Sequence, residues 1–302
     1  MTKKDFLTIG DLSADELRAI LERSVALKSG DDAMKYPLIG KSVGLFFEKP
    51  STRTRVSFEV GVYQLGAQSV YLSPKELQLG RGETIADTAK TLSRYLHCMV
   101  MRVFSHQSAA EFARHATIPV INGLSDLHHP CQALADAMTV LEHKGSLEGV
   151  KFAFIGDGNN VANSLVEMAA KTGFDFVIAS PSGYGPDAAV LERARAEGRG
   201  RITLVTDPRE AAENADVLYT DVWVSMGQEG DAEEKAKKFQ SYQVNAELLR
   251  HAKSDAIVLH CLPAIRGKEI TDEVMDGPRS AIFDQAENRM HTEKALLEYL
   301  VR

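Results

Sequence analysis

Apolar runs of strand length alternate with segments of helical periodicity along most of the chain, and that alternation limits the fold more than any single residue does. SVGLFF (42–47) precedes a helical segment carrying Val56, Val60 and Tyr63. CMVMRVF (98–104) precedes SAAEFARHA, and the short IPVIN precedes HHPCQALADAMTVLEHKG, where Leu134, Met138 and Leu141 keep helical spacing. Strands that alternate with helices in this way indicate a parallel sheet covered by helices. The pattern restarts at VKFAFIGDGNN with a strand, a glycine turn and a helix, and continues through FDFVIAS, RITLVTD, DVLYTDVWV and AIVLHCLP. The expectation is an α/β protein of two domains, residues 1–145 and 150–285, joined through Lys144–Gly149. The amphipathic C-terminal helix, 286–302, has a pattern that suits either domain and is assigned to the first.

The chain has 302 residues, 44% of them hydrophobic, enough for two ordinary cores. No apolar run approaches the roughly 20 residues of a membrane span. The opening MTKKDFLTIGDLSADE lacks the apolar stretch and cleavage site of a secretory signal, so a cytoplasmic protein with no membrane partner is expected. Three cysteines without a C-x-x-C pair argue against a disulfide framework and fit a reducing compartment. A formal net charge of −7 argues against nucleic acid as a partner, but it leaves room for a local cationic pocket.

Such a pocket is suggested by STRTR (51–55), which falls where a strand gives way to a helix. Unpaired backbone N–H groups at a helix N-terminus carry partial positive charge and receive anions well. The hydroxyls of Ser51, Thr52 and Thr54 add neutral donors, and a guanidinium adds a bidentate fork. Arg53 and Arg55 are two apart and point to different sides of a helix, so Arg53 is chosen to face the ligand, with Arg55 kept among the phosphate-side residues. The segment has no glycine cradle and no G-K-[ST] ending, which argues against ATP.

Other polar residues stand where strands of such sheets end. Arg102 lies inside an apolar run, where a guanidinium must find a partner. His129 sits just ahead of Pro130, a suitable first helical residue, and Gln132 falls in the first turn. Asp221 ends an apolar stretch before the Ser-Met-Gly loop that contains Ser225 and Met226, and it can hold an ammonium group. His260 and Cys261 are strand neighbours with side chains expected on opposite faces, so no shared metal is expected. GDGNNVANS (156–164) matches a dinucleotide turn only in part, because Val161 stands where the third glycine belongs; Asn159 and Asn160 offer amides instead.

Taken in order, STRTR, Arg102, HPCQ, Asp221 with SMG, HCLP and Arg289 resemble the aspartate/ornithine carbamoyltransferase family over nearly the whole chain, and SMG with HCLP resembles the branch that uses ornithine. The resemblance implies an active site in the cleft between the domains. Carbamoyl phosphate would be held by Ser51, Thr52, Arg53, Thr54 and Arg102, with His129 and Gln132 polarising its carbonyl. Asn160, Asp221, Ser225 and Met226 would bind L-ornithine, while Cys261, Leu262 and Arg289 would complete the pocket. Arg102, His129, Asp221 and Cys261 are the implied catalytic groups. Gln78 would reach a neighbouring subunit's site in a homotrimer with shared active sites, and Leu262–Pro263 would be cis. No cofactor or metal is implied. Alternative acceptors are N-acetylornithine, N-succinylornithine and putrescine; aspartate fits the SMG and HCLP groups poorly. Rivals of other classes are a nicotinamide-dependent oxidoreductase and a non-catalytic homologue.

Overall fold

The computed structural model describes residues 3–30, 36–75, 82–224 and 232–301. The chain divides into two compact units, Met1–Met138 with Glu287–Arg302, and Thr139–Ala286. The division falls inside a helix, ahead of the 144–149 segment read as a linker.

In the first unit, β1 (Ser42–Phe47), β2 (Gln68–Leu72), β3 (Cys98–Arg102) and β4 (Val120–Leu124) form a parallel sheet in the order β2-β1-β3-β4. Its helices are α1 (Ala14–Ser29), α2 (Thr52–Gln64), α3 (Ile85–Leu92) and α4 (His106–His115), and α5 (Pro130–Lys144) begins in this unit. The central strands are buried along nearly their whole length, as continuous apolar runs in parallel sheets require. β2 has no comparable run in the sequence; it is an edge strand whose side chains are mostly half-buried or exposed.

α2 turns inward a face other than the stripe of Val56, Val60 and Tyr63. Its buried face carries Thr54, Phe58, Gly61 and Val62, whereas Val56, Val60 and Tyr63 are exposed. Both sets have helical spacing, so periodicity alone could not say which faces inward. Gly61 settles it by close approach, because a Cβ there would stand 3.2 Å from the Lys294 side chain of the final helix.

The second unit holds β5 (Lys151–Ile155), β6 (Asp175–Ala179), β7 (Ile202–Val205), β8 (Val217–Thr220) and β9 (Ile257–His260), all parallel, in the order β7-β6-β5-β8-β9. Its helices are α6 (Asn160–Thr172), α7 (Ala188–Glu197), α8 (Pro208–Ala212), α9 (Ala232–Phe239), α10 (Ala246–Leu249) and α11 (Asp272–Met275). The last helix, α12 (Ile282–Val301), starts here and continues into the first unit. Phe152, Phe154, Phe174, Phe176 and Tyr219 are fully buried and stack or meet edge to face on the sheet.

Each sheet reverses its strand order once, next to β1 in the first unit and next to β5 in the second. In the first, Phe47 at the end of β1 pairs with Arg102 at the end of β3. In the second, Ile155 pairs with Thr220 and Thr220 with His260, which brings three strand ends level. Open parallel sheets bind ligands outside the carboxyl ends of their strands at such reversals. The polar motifs picked out in the sequence follow these strand ends.

The turn after β5 leaves no room for a side chain at Gly158. A Cβ there would stand 2.2 Å from the Gly185 carbonyl carbon and 2.3 Å from the Pro186 nitrogen, both main-chain atoms. Gly158→Ala should therefore lower stability by about 1–3 kcal/mol, as overpacking does, read as an earlier urea midpoint. An unchanged midpoint would show that the 183–186 turn yields freely.

Candidate active site

The first unit gathers cations round one histidine. Ser51 caps α2, its hydroxyl accepting from the Thr54 N–H at 3.2 Å. Thr52 opens the helix and is exposed, while Thr54 is buried and its Oγ1 accepts from Arg289 Nη2 at 3.3 Å. Arg102 is buried at the end of β3, where the strand register shifts between Met101 and Arg102. His129 lies just before α5 and is buried, and its carbonyl accepts from the N–H groups of Gln132 and Ala133. Burial first, then the charges of Arg289, Arg102 and Arg53, hold the His129 imidazole well below the usual histidine range. At neutral pH this ring is therefore uncharged, under the field of three guanidinium groups. Together these groups can receive an anion, and the neutral imidazole can hydrogen-bond a carbonyl oxygen.

Arg289 is contributed by α12. Its Nη1 donates to Gln132 Oε1 at 2.9 Å, and the Gln132 amide nitrogen donates to Asp136 Oδ1 at 2.8 Å. Glu293 Oε1 accepts from Arg289 Nη2 at 2.7 Å. Burial pushes the Glu293 carboxyl up to about 7 against the pull of Arg289. Lys49, ahead of α2, is also largely buried, with its ammonium 4.4 Å from the Phe104 ring centroid.

In the second unit, the ends of β5, β8 and β9 bring together an amide, a carboxylate and a thiol. Asn159 caps α6 with its oxygen, and its Nδ2 donates to Asp221 Oδ2 at 2.6 Å. Asp221 Oδ1 accepts from its neighbour's Val222 N–H at 2.7 Å and from Cys261 Sγ at 2.9 Å. His260 is buried; its Nδ1 accepts from the Leu262 N–H at 2.8 Å, so Nε2 carries the proton and faces Glu269 Oε1 at 3.2 Å. The Leu262–Pro263 bond is cis and Leu262 has φ 58°. A partly buried carboxylate held by an amide and a thiol is suited to an ammonium or amine.

Both halves of the chain match family models. Residues 4–142 match the carbamoyl-P binding domain of aspartate/ornithine carbamoyltransferase, and residues 148–300 match its Asp/Orn binding domain. The chain belongs to the aspartate/ornithine carbamoyltransferase family. It is 55% identical to an ornithine carbamoyltransferase of Syntrophus aciditrophicus, covering 99% of this chain and 100% of that protein. The solved ornithine carbamoyltransferase of Pyrococcus furiosus is 50% identical with TM-score 0.94, over 99% of this chain and 97% of that one. A structure of N-acetyl-L-ornithine transcarbamylase is 32% identical with TM-score 0.89, over 99% of this chain and 100% of that one.

Family membership replaces the oxidoreductase reading, and the GDGNN turn has its own structural explanation: Gly158 is pressed against the 185–186 backbone and Asn159 caps a helix. Of the carbamoyltransferase residues expected in the first unit, Arg53, Thr54, Arg102, His129, Gln132 and Arg289 converge through the charges and hydrogen bonds just described. Arg55 does not join them. It is exposed, its Nε donates to Glu59 at 2.9 Å and its guanidinium lies 3.8 Å from the Tyr71 ring centroid, as expected two residues round the helix from Arg53. In the second unit, Asn159 holds Asp221, and Asn160 is the first residue of α6. Gln78, Ser225 and Met226 lie outside the described residues.

The opposite-face argument about His260 and Cys261 needs correction. Cys261 lies beyond the end of β9, so strand alternation no longer applies, and ligand-type atoms of Asp221, His260 and Cys261 all lie within 4.8 Å of one another. Both ring nitrogens of His260 are engaged within the protein, as are Asp221 and Cys261 with each other. Residues that sequence reasoning missed are Asp136, Glu269 and Glu293. Each is a carboxylate on a helix or loop, with no local pattern to mark it.

The depressed His129 has a measurable consequence. The unfolded chain takes up a proton on this ring at about pH 6.5 and the folded chain does not, so its contribution makes stability fall as pH drops below about 6.5. His129→Gln should flatten that part of the pH–stability curve. NMR of the ring should show no titration step at about pH 6.5; an ordinary step there would mean that the three arginines do not act on it.

Proposed function

We propose that this chain is an ornithine carbamoyltransferase, transferring the carbamoyl group of carbamoyl phosphate to the δ-amine of L-ornithine to give L-citrulline and phosphate. The observation that carries the reading is that Arg53 and Arg102, with Arg289, act on a neutral His129, and that Arg53, Arg102 and His129 lie in the stretch that matches the carbamoyl-P binding domain. Carbamoyl phosphate has an activated carbonyl and a dianionic leaving group. It asks a protein for cations at the phosphate, donors at the carbonyl oxygen and an uncharged attacking amine.

In this mechanism the α2 N-terminus, with Ser51, Thr52, Arg53 and Thr54, and Arg102 bind the phosphate. His129 and Gln132, with Arg289, hydrogen-bond the carbonyl oxygen as it becomes an oxyanion. An alkyl ammonium has a pKa of about 10, so the δ-ammonium must first lose a proton to solvent, and the free amine attacks. Asp221 and Cys261 orient it. The C–N bond forms, the tetrahedral intermediate collapses with cleavage of the C–O bond, and the departing phosphate takes the amine's proton. Asn160, Ser225 and Met226 hold the α-amino and carboxylate end of ornithine. No metal, nucleotide or covalent enzyme intermediate enters this scheme.

The choice of ornithine over its acylated forms is supported by similarity, 55% to an ornithine enzyme against 32% to an N-acetylornithine enzyme. A homotrimer is part of the proposal, with Gln78 reaching a neighbour's site. It is favoured by the exposed apolar stripe of Val56, Val60 and Tyr63 on α2, since large contiguous apolar patches mark interaction surfaces. The proposed setting is arginine biosynthesis in the cytoplasm; among the described residues no helix is long and apolar enough to cross a membrane.

An assay for ureido product should give product from carbamoyl phosphate with ornithine, and little with N-acetylornithine, N-succinylornithine, putrescine or aspartate. Product with a different amine alone would keep the chemistry and move the acceptor; none with any amine would point to a non-catalytic homologue. Arg53→Ala should weaken carbamoyl phosphate binding about 10- to 100-fold, the scale of charge-assisted hydrogen bonds. Asp221→Asn should raise the ornithine KM by more than that for carbamoyl phosphate, and equal changes would remove its assigned contact with the amine.

A further inference from the structure

The final helix brings an acid to the first unit along with Arg289. Glu293 follows Arg289 by four residues, so the two share one helical face. Their side chains are 4% and 1% exposed. Glu293 Oε1 accepts from Arg289 Nε at 3.2 Å and from Nη2 at 2.7 Å, gripping one edge of the guanidinium. Nη2 also donates to Thr54, and Nη1 donates to Gln132, whose own amide is turned by Asp136. A guanidinium has five N–H donors in a rigid plane. Among the described residues these contacts use four of the five, and the fifth is on Nη1, the edge that faces Gln132.

A buried ion pair is a weak source of stability, because removing two charges from water costs about as much as their attraction returns. The arrangement round Arg289 makes more sense as alignment. An unclamped arginine side chain samples many rotamers, and a donor has to be aimed before its ligand arrives if it is to act without reorganisation.

We propose that Glu293 is a positioning residue for the carbamoyl phosphate site. It clamps the Nε–Nη2 edge of Arg289, and so presents the Nη1 edge, beside Gln132, to the carbamoyl group. This rests on the function proposed above. In this role Glu293 acts on the ligand through Arg289, which separates it from a residue that merely fills space in the helix packing.

The test is a double-mutant cycle read by calorimetric titration of carbamoyl phosphate into the full chain, without an amine and at about pH 8.5, where the Glu293 carboxyl is ionised. Glu293→Gln keeps the size and an acceptor oxygen but removes the charge, and should weaken binding by about tenfold, within the usual range for coupled neighbours. In an Arg289→Lys background the same change should weaken it by less than about twofold, because the clamped fork is already gone. A similar loss in both backgrounds, or no loss in either, overturns the proposal. If Glu293→Gln does not fold, Glu293→Asp, which shortens the reach but keeps the charge, is carried through the same cycle and read in the same way. Wild-type binding of carbamoyl phosphate without turnover of any amine would defeat the ornithine reading while the cycle still judges Glu293. Absence of wild-type binding would overturn both.

Discussion

Confinement of positive charge governs the first unit. Arg102 and Arg289 are buried and act, with Arg53, on a histidine that is itself buried. Charges withdrawn from water must be paired or hydrogen-bonded, or the fold loses several kcal/mol for each. Arg289 meets that demand through Glu293, Gln132 and Thr54. A strand end delivers Arg102, a helix N-terminus delivers Arg53 and Thr54, and the last helix delivers Arg289 with its own carboxylate. The imidazole responds by staying neutral, which suits it to hydrogen-bond a carbonyl without adding a fourth cation.

The second unit solves a different problem with the same topology. Its three level strand ends assemble a carboxylate whose two oxygens are bound by an amide, a backbone N–H and a thiol. His260 and Glu269 hold the turn that follows β9, fixing the backbone at Leu262 and Ile265. Cationic groups cluster in one unit and a carboxylate centre lies in the other. That division fits the two family models, one for an anionic phosphate donor and one for an amino-acid acceptor.

Much of the fold was legible in the sequence because buried parallel strands are continuous apolar runs, and STRTR, HPCQ and HCLP could be seen to stand at or within a few residues of their ends. β2 was not legible, since an edge strand with half-exposed side chains has no such run. The inward face of α2 could not be read because two stripes of helical spacing compete, and the packing of Gly61 against α12 goes with the one that carries Phe58 and Val62. Cys261 was assigned to a strand face that ends one residue earlier. Asp136, Glu269 and Glu293 stayed hidden for a common reason: a buried acid is recognised by the partner it meets in space, and nothing in its immediate sequence names that partner.

The placement of Arg289 on α12 also bears on how the molecule is made. The first compact unit is discontinuous, closed by residues 287–302 after the whole of 139–286 has intervened. On the ribosome, residues 1–138 emerge early but lack the helix that packs on α2 and supplies Arg289. Contacts of such long sequence separation form late. The nascent N-terminal segment must therefore wait, with Gly61 and the α2 face uncovered, until residues 287–301 have been made, and that interval is where a chaperone would find most to hold.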